Sequence, residues 1–391
     1  MNEKKSAIVL VASILVILTA IAGCIEGSFL KTETVLMKLD SYENIQWTTV
    51  IDNNDYASAQ SLAPAIPHFI QTSDNGFLIA DLFYNRTGDR GIRIIKTDSR
   101  GNPAWEKRIP GQAGEILTLL QRNDGGYTVV WRDGRLFAFD AAGNLGMIVN
   151  IPELVKQTQG TELSTVTLRS IIQTSDGNMS AVLTGGDYYN IQQPVITAGI
   201  SRNGTIVWEN VSSLEISAGT IALMQTQDSG CLLEKTVYDY KPGGGKKILL
   251  EKTDSNRSVA WDSQFGICNY TFCNNDLLGM HESKKQEIEI IYLSHEQSNA
   301  TSGNPSITVY LRLDRNGRVQ QQALVTNVSG LPAWIFEQWG SSSELNSLVP
   351  ENIIGSMRQE KSNGNPSLGG LSLLKTDGEG YALLGIRYYR G

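Results

Sequence analysis

Residues 69–80 read FIQTSDNGFLIA, and residues 94–105 read IIKTDSRGNPAW. Each stretch places a short apolar segment on either side of a polar turn that contains Gly. Asp and Asn followed by Gly favour tight hairpin turns because these residues tolerate positive φ. Two such hairpins in series predict one four-stranded antiparallel sheet, which is the blade of a propeller.

The first hairpin recurs along the chain. Clear copies span residues 120–129, 172–179 and 224–233, and a further copy spans 373–384 near the C-terminus. A weaker copy surrounds the alternating residues 287–293, where no Asp-Gly or Asn-Gly turn precedes the apolar segment. The chain therefore repeats one supersecondary unit rather than combining unrelated domains.

The second hairpin carries a polar residue followed seven positions later by a large side chain, usually Trp. The strong copies are Asp40 to Trp47, Asp98 to Trp105, Ser201 to Trp208 and Asp254 to Trp261, and the weak copies are Asp140 to Met147 and Asp314 to Gln321. A Trp on the outer strand is large enough to fill the space between neighbouring blades. We therefore interpret Trp47, Trp105, Trp208 and Trp261 as structural residues of the repeat.

The two ends of the chain carry complementary halves of a blade. An Asp-to-Trp unit at 35–50 lacks its preceding hairpin, and the hairpin at 373–384 lacks its following unit. Their pairing would close a ring and remove two exposed sheet edges. We predict an all-β propeller of four-stranded antiparallel blades, with internal blades near 66–112, 115–152, 168–214, 219–266 and 277–326. Six blades are favoured, because 327–370 reads as a long insertion; a degenerate seventh blade is the alternative.

The N-terminus carries a secretory signal. Lys4 and Lys5 precede an apolar run from Ala7 to Gly23, and small residues precede Cys24. The run resembles the lipobox of prokaryotic lipoproteins, which implies cleavage before Cys24 and lipidation of its thiol. We expect a signal peptide at 1–23, a lipidated tether at 24–34 and the propeller at 35–391, on the extracellular face of the cell membrane. An uncleaved signal anchor is the alternative.

The remaining cysteines and the sequons fit an extracellular location. Cys268 and Cys273 bracket a short expected loop, so a local disulfide is plausible there. Cys231 takes the position of Phe77 in the repeat, which predicts a buried core residue. N-glycosylation is predicted at the N-x-S/T sequons Asn85, Asn178, Asn203, Asn210, Asn256, Asn269, Asn299 and Asn327, with chance occurrence as the alternative.

The repeat resembles a known family. QTSDNGF at 71–77 followed by KTDSRGNPAW at 96–105 is similar to the tandem repeat of secreted archaeal and bacterial β-propeller lipoproteins. This resemblance implies a propeller at the cell surface and no single activity. The repeat is also similar, with one residue fewer between Asp and Trp, to that of quinone-dependent dehydrogenase propellers. The chain lacks the vicinal Cys pair of those enzymes, and we expect no cofactor.

Composition and motifs favour binding over catalysis. The net charge of −7 argues against a nucleic-acid partner. His68, His281 and His295 stand in no nucleophile or metal motif. We predict a non-enzymatic module, tethered by the lipid on Cys24, that binds a protein or glycan partner through the irregular segments 155–166, 185–195, 237–246 and 327–370. The alternatives are a secreted hydrolase or quinoprotein-like enzyme with its site at the central channel, and a structural component of the cell envelope.

Overall fold

A computed structural model describes most of the chain after residue 28. The described ranges are 29–40, 44–58, 67–84, 90–111, 115–159, 165–186, 193–214, 221–238, 246–266, 273–296, 306–325, 367–376 and 380–390. Within them the chain forms 24 strands and one helix. The predicted signal peptide at 1–23, Cys24 and most of the surplus segment 327–370 lie outside these ranges.

The strands form six four-stranded antiparallel sheets, which we number as blades. Blade 1 contains β3 (His68–Gln71), β4 (Phe77–Tyr84), β5 (Arg90–Thr97) and β6 (Pro103–Pro110). Blade 2 contains β7 (Ile116–Gln121), β8 (Tyr127–Trp131), β9 (Arg135–Phe139) and β10 (Leu145–Asn150). Blade 3 contains β11 (Val166–Gln173), β12 (Met179–Gly185), β13 (Gln193–Ile200) and β14 (Ile206–Leu214). The four-stranded blade predicted from two hairpins in series is confirmed.

The second half of the ring repeats this plan. Blade 4 contains β15 (Ile221–Gln225), β16 (Cys231–Tyr238), β17 (Lys246–Thr253) and β18 (Val259–Gly266). Blade 5 contains β19 (Cys273–Glu282), β20 (Ile288–Glu296), β21 (Ser306–Leu313) and β22 (Val319–Val325). Blade 6 combines β23 (Ser367–Thr376) and β24 (Gly380–Arg390) with β1 (Phe29–Leu39) and β2 (Ile45–Ser58). Six blades match the favoured prediction.

Blade 6 closes the ring in the predicted way. Its strand order is β2-β1-β24-β23, so the two chain ends meet in the middle of one sheet. β1 and β24 are antiparallel in a continuous register from Leu30 opposite Arg390 to Leu39 opposite Tyr381. Because β1 begins at Phe29, the last six residues of the predicted tether at 24–34 belong to the sheet.

The recurring Asp of the second hairpin stabilises its own turn. Asp98 Oδ1 accepts hydrogen bonds from the backbone N–H groups of Arg100 and Asn102, both at 2.8 Å. Asp140, Asp254 and Asp314 accept equivalent bonds from the same turn positions. The side-chain hydrogen bond from Asn102 is the main cause that lowers the pKa of Asp98. These carboxylates are therefore turn residues.

The outer-strand Trp packs against the turn of the next blade. A Cβ built on Gly101 of blade 1 would lie 2.5 Å from the Trp47 indole of blade 6, and one on Gly143 of blade 2 would lie 2.8 Å from Trp105 of blade 1. Gly317 of blade 5 approaches Trp261 of blade 4 in the same way. Three junctions therefore share a Trp-to-Gly contact that leaves no room for a side chain, and at the junction of blades 2 and 3 Met147 takes the place of the Trp against Gly204.

We expect Gly143→Ala to destabilise the protein more than Gly125→Ala. Both glycines have φ near +80°, so each alanine pays the left-handed backbone penalty of roughly 1–2 kcal/mol. Nothing lies within 4 Å of a Cβ on Gly125, whereas the Trp105 indole blocks one on Gly143. Overpacking should add about 1–3 kcal/mol to the loss for Gly143→Ala, measured by urea unfolding. Equal losses for the two variants would argue against the contact.

One local feature, a helix, departs from the sequence-based expectation, whereas the first hairpin of blade 5 lacks Gly as the sequence indicated. A helix, α1 (Ile151–Gln159), follows β10 and buries Ile151 and Val155 in the core between blades 2 and 3. Asn150 caps it by accepting a 3.3 Å hydrogen bond from the Glu153 N–H, and this Asn before Ile-Pro-Glu was the available signal. In blade 5 the first hairpin turns without Gly, because Gln286 itself adopts φ 61°.

Candidate functional site

Three register partners in each blade form a cross-strand row that faces the next blade. The row is Leu78–Lys96–Trp105 in blade 1 and Leu232–Lys252–Trp261 in blade 4. In blade 2 the same positions hold Thr128–Ala138–Met147. Blade 2 therefore has a smaller side chain at each of the three positions: Thr in place of Leu, Ala in place of Lys and Met in place of Trp.

The central lysine of the row serves the hairpin turn of its own blade. Lys96 is 4% exposed, and its Nζ donates to Asp74 Oδ2 at 2.7 Å and to the Thr97 carbonyl at 2.6 Å. Lys252 bonds Asp228 in the same way. Ala138 cannot reach the corresponding Asp124, so blade 2 has neither the lysine stem nor its charge at this place.

The space that these substitutions leave is a cavity of about 270 Å³ between blades 2 and 3, which we call the interblade cavity. Leu120, Ala138, Met147 and Met179 form its apolar part. Its polar lining comes from turns and strand ends of both blades, namely Arg122, Asn123, Asp124, Thr128, Gln173, Gly177, Arg202 and Asn203. The cavity is thus open at the end of the propeller where the hairpin turns lie.

Blade 3 also lacks the lysine, yet its row is filled. It reads Ser180–Gly199–Trp208. A Cβ on Gly199 would lie 2.0 Å from Nε1 of Trp208, so the indole covers the glycine directly. Met147 stands at the position of Trp208 in blade 2 and lines the cavity at the junction of blades 2 and 3.

Arg122 replaces the missing lysine as the partner of the hairpin carboxylate. It stands at the turn position that Thr holds in blades 1, 3 and 4, and its guanidinium bonds both oxygens of Asp124, at 3.1 and 2.9 Å. Burial raises the pKa of Asp124, but the Gly126 N–H and the Arg122 hydrogen bond and charge outweigh burial and hold that pKa below its ordinary value. Asp124 is therefore ionised and paired at neutral pH.

Arg202 reaches the same rim from blade 3. Its Nη2 donates to the Asp176 carbonyl at 2.7 Å, and its guanidinium lies directly against Gly177, where any Cβ would meet it at 2.2 Å. Within the described ranges no carboxylate forms an ion pair with Arg202. Its positive charge is therefore available to a ligand at the mouth of the cavity.

Amide side chains link neighbouring blades at the innermost strands. Gln121 of blade 2 accepts from the Ser73 N–H of blade 1 at 2.7 Å and donates to the Ser73 hydroxyl at 2.9 Å. Gln225 of blade 4 donates to the Ser175 hydroxyl of blade 3 at 3.1 Å. At the junction of the cavity, Gln173 instead donates to the Gly177 carbonyl of its own turn, at 3.4 Å. Gln173 therefore bonds within its own blade at the junction where the cavity lies, whereas Gln121 and Gln225 bond a Ser of the preceding blade.

The structure describes four of the eight predicted N-glycosylation sites. Asn178, Asn203, Asn210 and Asn256 lie in described turns or on a strand, and Asn85, Asn269, Asn299 and Asn327 lie outside the described ranges. Asn203 lines the interblade cavity, so a glycan on Asn203 would block it. Asn178 donates its amide to Asp176 at 2.8 Å. Glycosylation at these positions stays a prediction.

The cysteines and irregular segments are only partly described. Cys268 lies outside the described ranges and the Cys273 side chain is not described, so their disulfide stays a prediction. Cys231 is a free thiol, 7% exposed, in the core between blades 3 and 4, as expected. Of the candidate binding segments 155–166, 185–195, 237–246 and 327–370, the first begins in the helix Ile151–Gln159 rather than in an irregular loop, and the last two fall mostly outside the described ranges. The cavity was missed because no single segment contains it.

Neither a metal cluster nor a membrane span is found in the described part of the chain. No three His, Cys, Asp or Glu side chains of these ranges gather closely enough to hold a metal ion. None of their helices has the length and apolar character needed to cross a membrane.

We expect acid to destabilise the protein through His68. Burial, followed by the charge of Arg132, lowers the pKa of His68 from 6.5 to about 4. The unfolded chain therefore binds a proton below pH 6.5 that the folded protein takes up only near pH 4. The free energy of unfolding should fall by up to about 3 kcal/mol between these pH values. Urea unfolding of the wild type and of His68→Asn measures this slope, and an equal slope in both would exclude His68 as its cause.

Comparison with protein-family models and with curated proteins gives no match. Among solved structures, YCF48 from Cyanidioschyzon merolae is 12% identical with a TM-score of 0.38, over 81% of this chain and 77% of that one. A polysaccharide lyase described as an ulvan lyase is 10% identical with a TM-score of 0.40, over 70% of this chain and 72% of that one. A eukaryotic initiation factor is 10% identical with a TM-score of 0.38, over 74% of this chain, and the chain spans 64% of its length.

Proposed function

We propose that this protein is a membrane-tethered, extracellular β-propeller that binds a glycan in the interblade cavity and has no catalytic activity. The tether rests on the signal and lipobox that end at Cys24. The observation that carries the binding site is the Thr128–Ala138–Met147 row, which opens a cavity in a ring whose neighbouring rows are filled.

A glycan fits the lining better than a protein segment does. The cavity is below the size of pockets that hold drug-sized ligands, so it suits one sugar unit or the end of a chain. The apolar part of the lining can pack against the C–H groups of a sugar ring, and the amides and guanidinium groups at the rim can hydrogen-bond to its hydroxyl groups. A protein partner would need a much larger contact area than this cavity offers.

Binding is favoured over catalysis by the state of the charged groups. Asp124 is the carboxylate of the cavity lining, and Arg122 already bonds both of its oxygens. Its pKa lies below the ordinary value, whereas a general acid at neutral pH needs a raised pKa. The cavity therefore supplies fixed hydrogen-bond donors rather than a titrating group.

A glycan array probed with the full chain in detergent tests this function. The proposed binding requires an unmodified Asn203, so the protein is produced in a host without N-glycosylation. We expect saturable binding to a subset of glycans and no change in those glycans after prolonged incubation. No glycan binding at all, or turnover of a bound glycan, would contradict the proposal.

The tether has its own test. Mass spectrometry of the mature chain should show cleavage before Cys24 and a lipid on its thiol, and Cys24→Ser should release the protein from membranes. A wild-type chain that retains residues 1–23 would support the signal anchor instead.

A further inference from the structure

We propose that the interblade cavity is specific for an acidic sugar, with the sugar carboxylate at Arg202. This inference rests on the proposed glycan binding and names its ligand class. Two features carry it: an available guanidinium, and a row of side chains that is smaller than the rows of blades 1 and 4.

Arg202 supplies the charge that selects an anion. It uses one donor for the Asp176 carbonyl, and the planar guanidinium offers several more in a fixed geometry. A guanidinium can bond both oxygens of a carboxylate, which is stronger than a bond between neutral groups. Arg122 cannot take this role to the same extent, because Asp124 already engages it.

The repeat defines the complementary shape. Leu78 and Leu232 occupy the Thr128 position in blades 1 and 4, and Lys96 and Lys252 occupy the position of Ala138. A lysine at 138 would extend toward the turn carboxylate as Lys96 does toward Asp74. The chain itself therefore shows which substitution closes the cavity while keeping the blade intact.

Calorimetric titration of the full chain with oligosaccharides of glucuronate and galacturonate tests the inference. The matched ligands are their methyl esters, the corresponding neutral sugars and inorganic sulfate. We expect the uronates to bind at least about 10-fold more tightly than the esters, as a charged hydrogen bond predicts. Equal affinity for acid and ester would overturn the inference, and sulfate binding as tight as uronate binding would reduce the site to an anion site.

Three variants locate the binding. Arg202→Gln should weaken uronate binding about 10–100-fold and leave ester binding nearly unchanged. Arg315→Gln is the matched control, because Arg315 holds the same turn position in blade 5 and is exposed. Ala138→Lys should abolish binding of acids and neutral sugars alike. Thermal unfolding confirms that each variant is folded.

The outcomes separate this inference from the proposed function. Neutral glycans that bind and are lost in Ala138→Lys would keep the function and overturn the acidic specificity. Binding that survives Ala138→Lys would place the ligand outside the cavity and overturn both.

Discussion

Removal of residues 380–391 is expected to abolish cooperative folding of the whole ring. These residues contain β24, which lies between β1 and β23 in blade 6. Without β24 the N-terminal and C-terminal halves of the blade share no strand pairing, and two edges are exposed. We expect far-ultraviolet circular dichroism to show loss of the cooperative urea transition, accompanied by aggregation.

A circular permutant provides the matched control. It joins residue 390 to residue 30, which face each other at the end of the β1–β24 ladder, and opens the chain between β6 and β7. All 24 strands remain, so the permutant should fold. A truncated chain with an unchanged unfolding midpoint would show that closure by β24 is not needed for stability.

Asp81→Ala is expected to cost about 3–5 kcal/mol of the free energy of unfolding. Asp81 and Arg93 are fully buried register partners in blade 1, and Arg93 Nε donates to Asp81 Oδ1 at 2.9 Å. Thr34 of blade 6 joins them: its hydroxyl donates to Asp81 at 3.0 Å and accepts from Arg93 at 2.8 Å. The variant would remove the carboxylate to which the buried Arg93 guanidinium donates, beside the junction that closes the ring.

The double variant Asp81→Leu, Arg93→Met separates charge from packing. Replacement of both charges by apolar groups should cost less than loss of one, because the Asp81–Arg93 pair is then removed as a unit. Urea unfolding of the wild type, Asp81→Leu, Arg93→Met and the double variant gives the coupling energy between the two side chains. A double variant as unstable as Asp81→Ala would show that packing, not the ion pair, decides stability here.

Most of the fold could be predicted because each copy of the repeat contains the turn and strand signals of its own hairpins. Residues 69–80 and 94–105 give the two hairpins, and the half-blades at both ends give the closure. The helix Ile151–Gln159 was not predicted, because nine residues provide only about two turns of helical periodicity. Asn150 and Pro152 nevertheless mark its start. The start of β1 escaped because Phe29–Thr34 pairs with a strand more than 350 residues away.

The candidate site could be predicted only in part. Met147 in place of Trp was visible as a weak copy of the repeat, and it does mark the cavity. Thr128 and Ala138 became informative only once the register placed them beside Met147 in one row. Arg202 belongs to the next blade, and its place in the same cavity lining as Arg122 depends on how two sheets pack. Distances between blades are not encoded in the spacing within one repeat.

A crystal structure of the protein soaked with a glucuronate disaccharide tests the central claim most directly. We predict ordered density for one sugar between blades 2 and 3, with its carboxylate at hydrogen-bond distance, about 2.7–3.2 Å, from the Arg202 guanidinium. Sugar density at the central channel or at another blade junction, with none in the interblade cavity at saturating ligand, would contradict the claim.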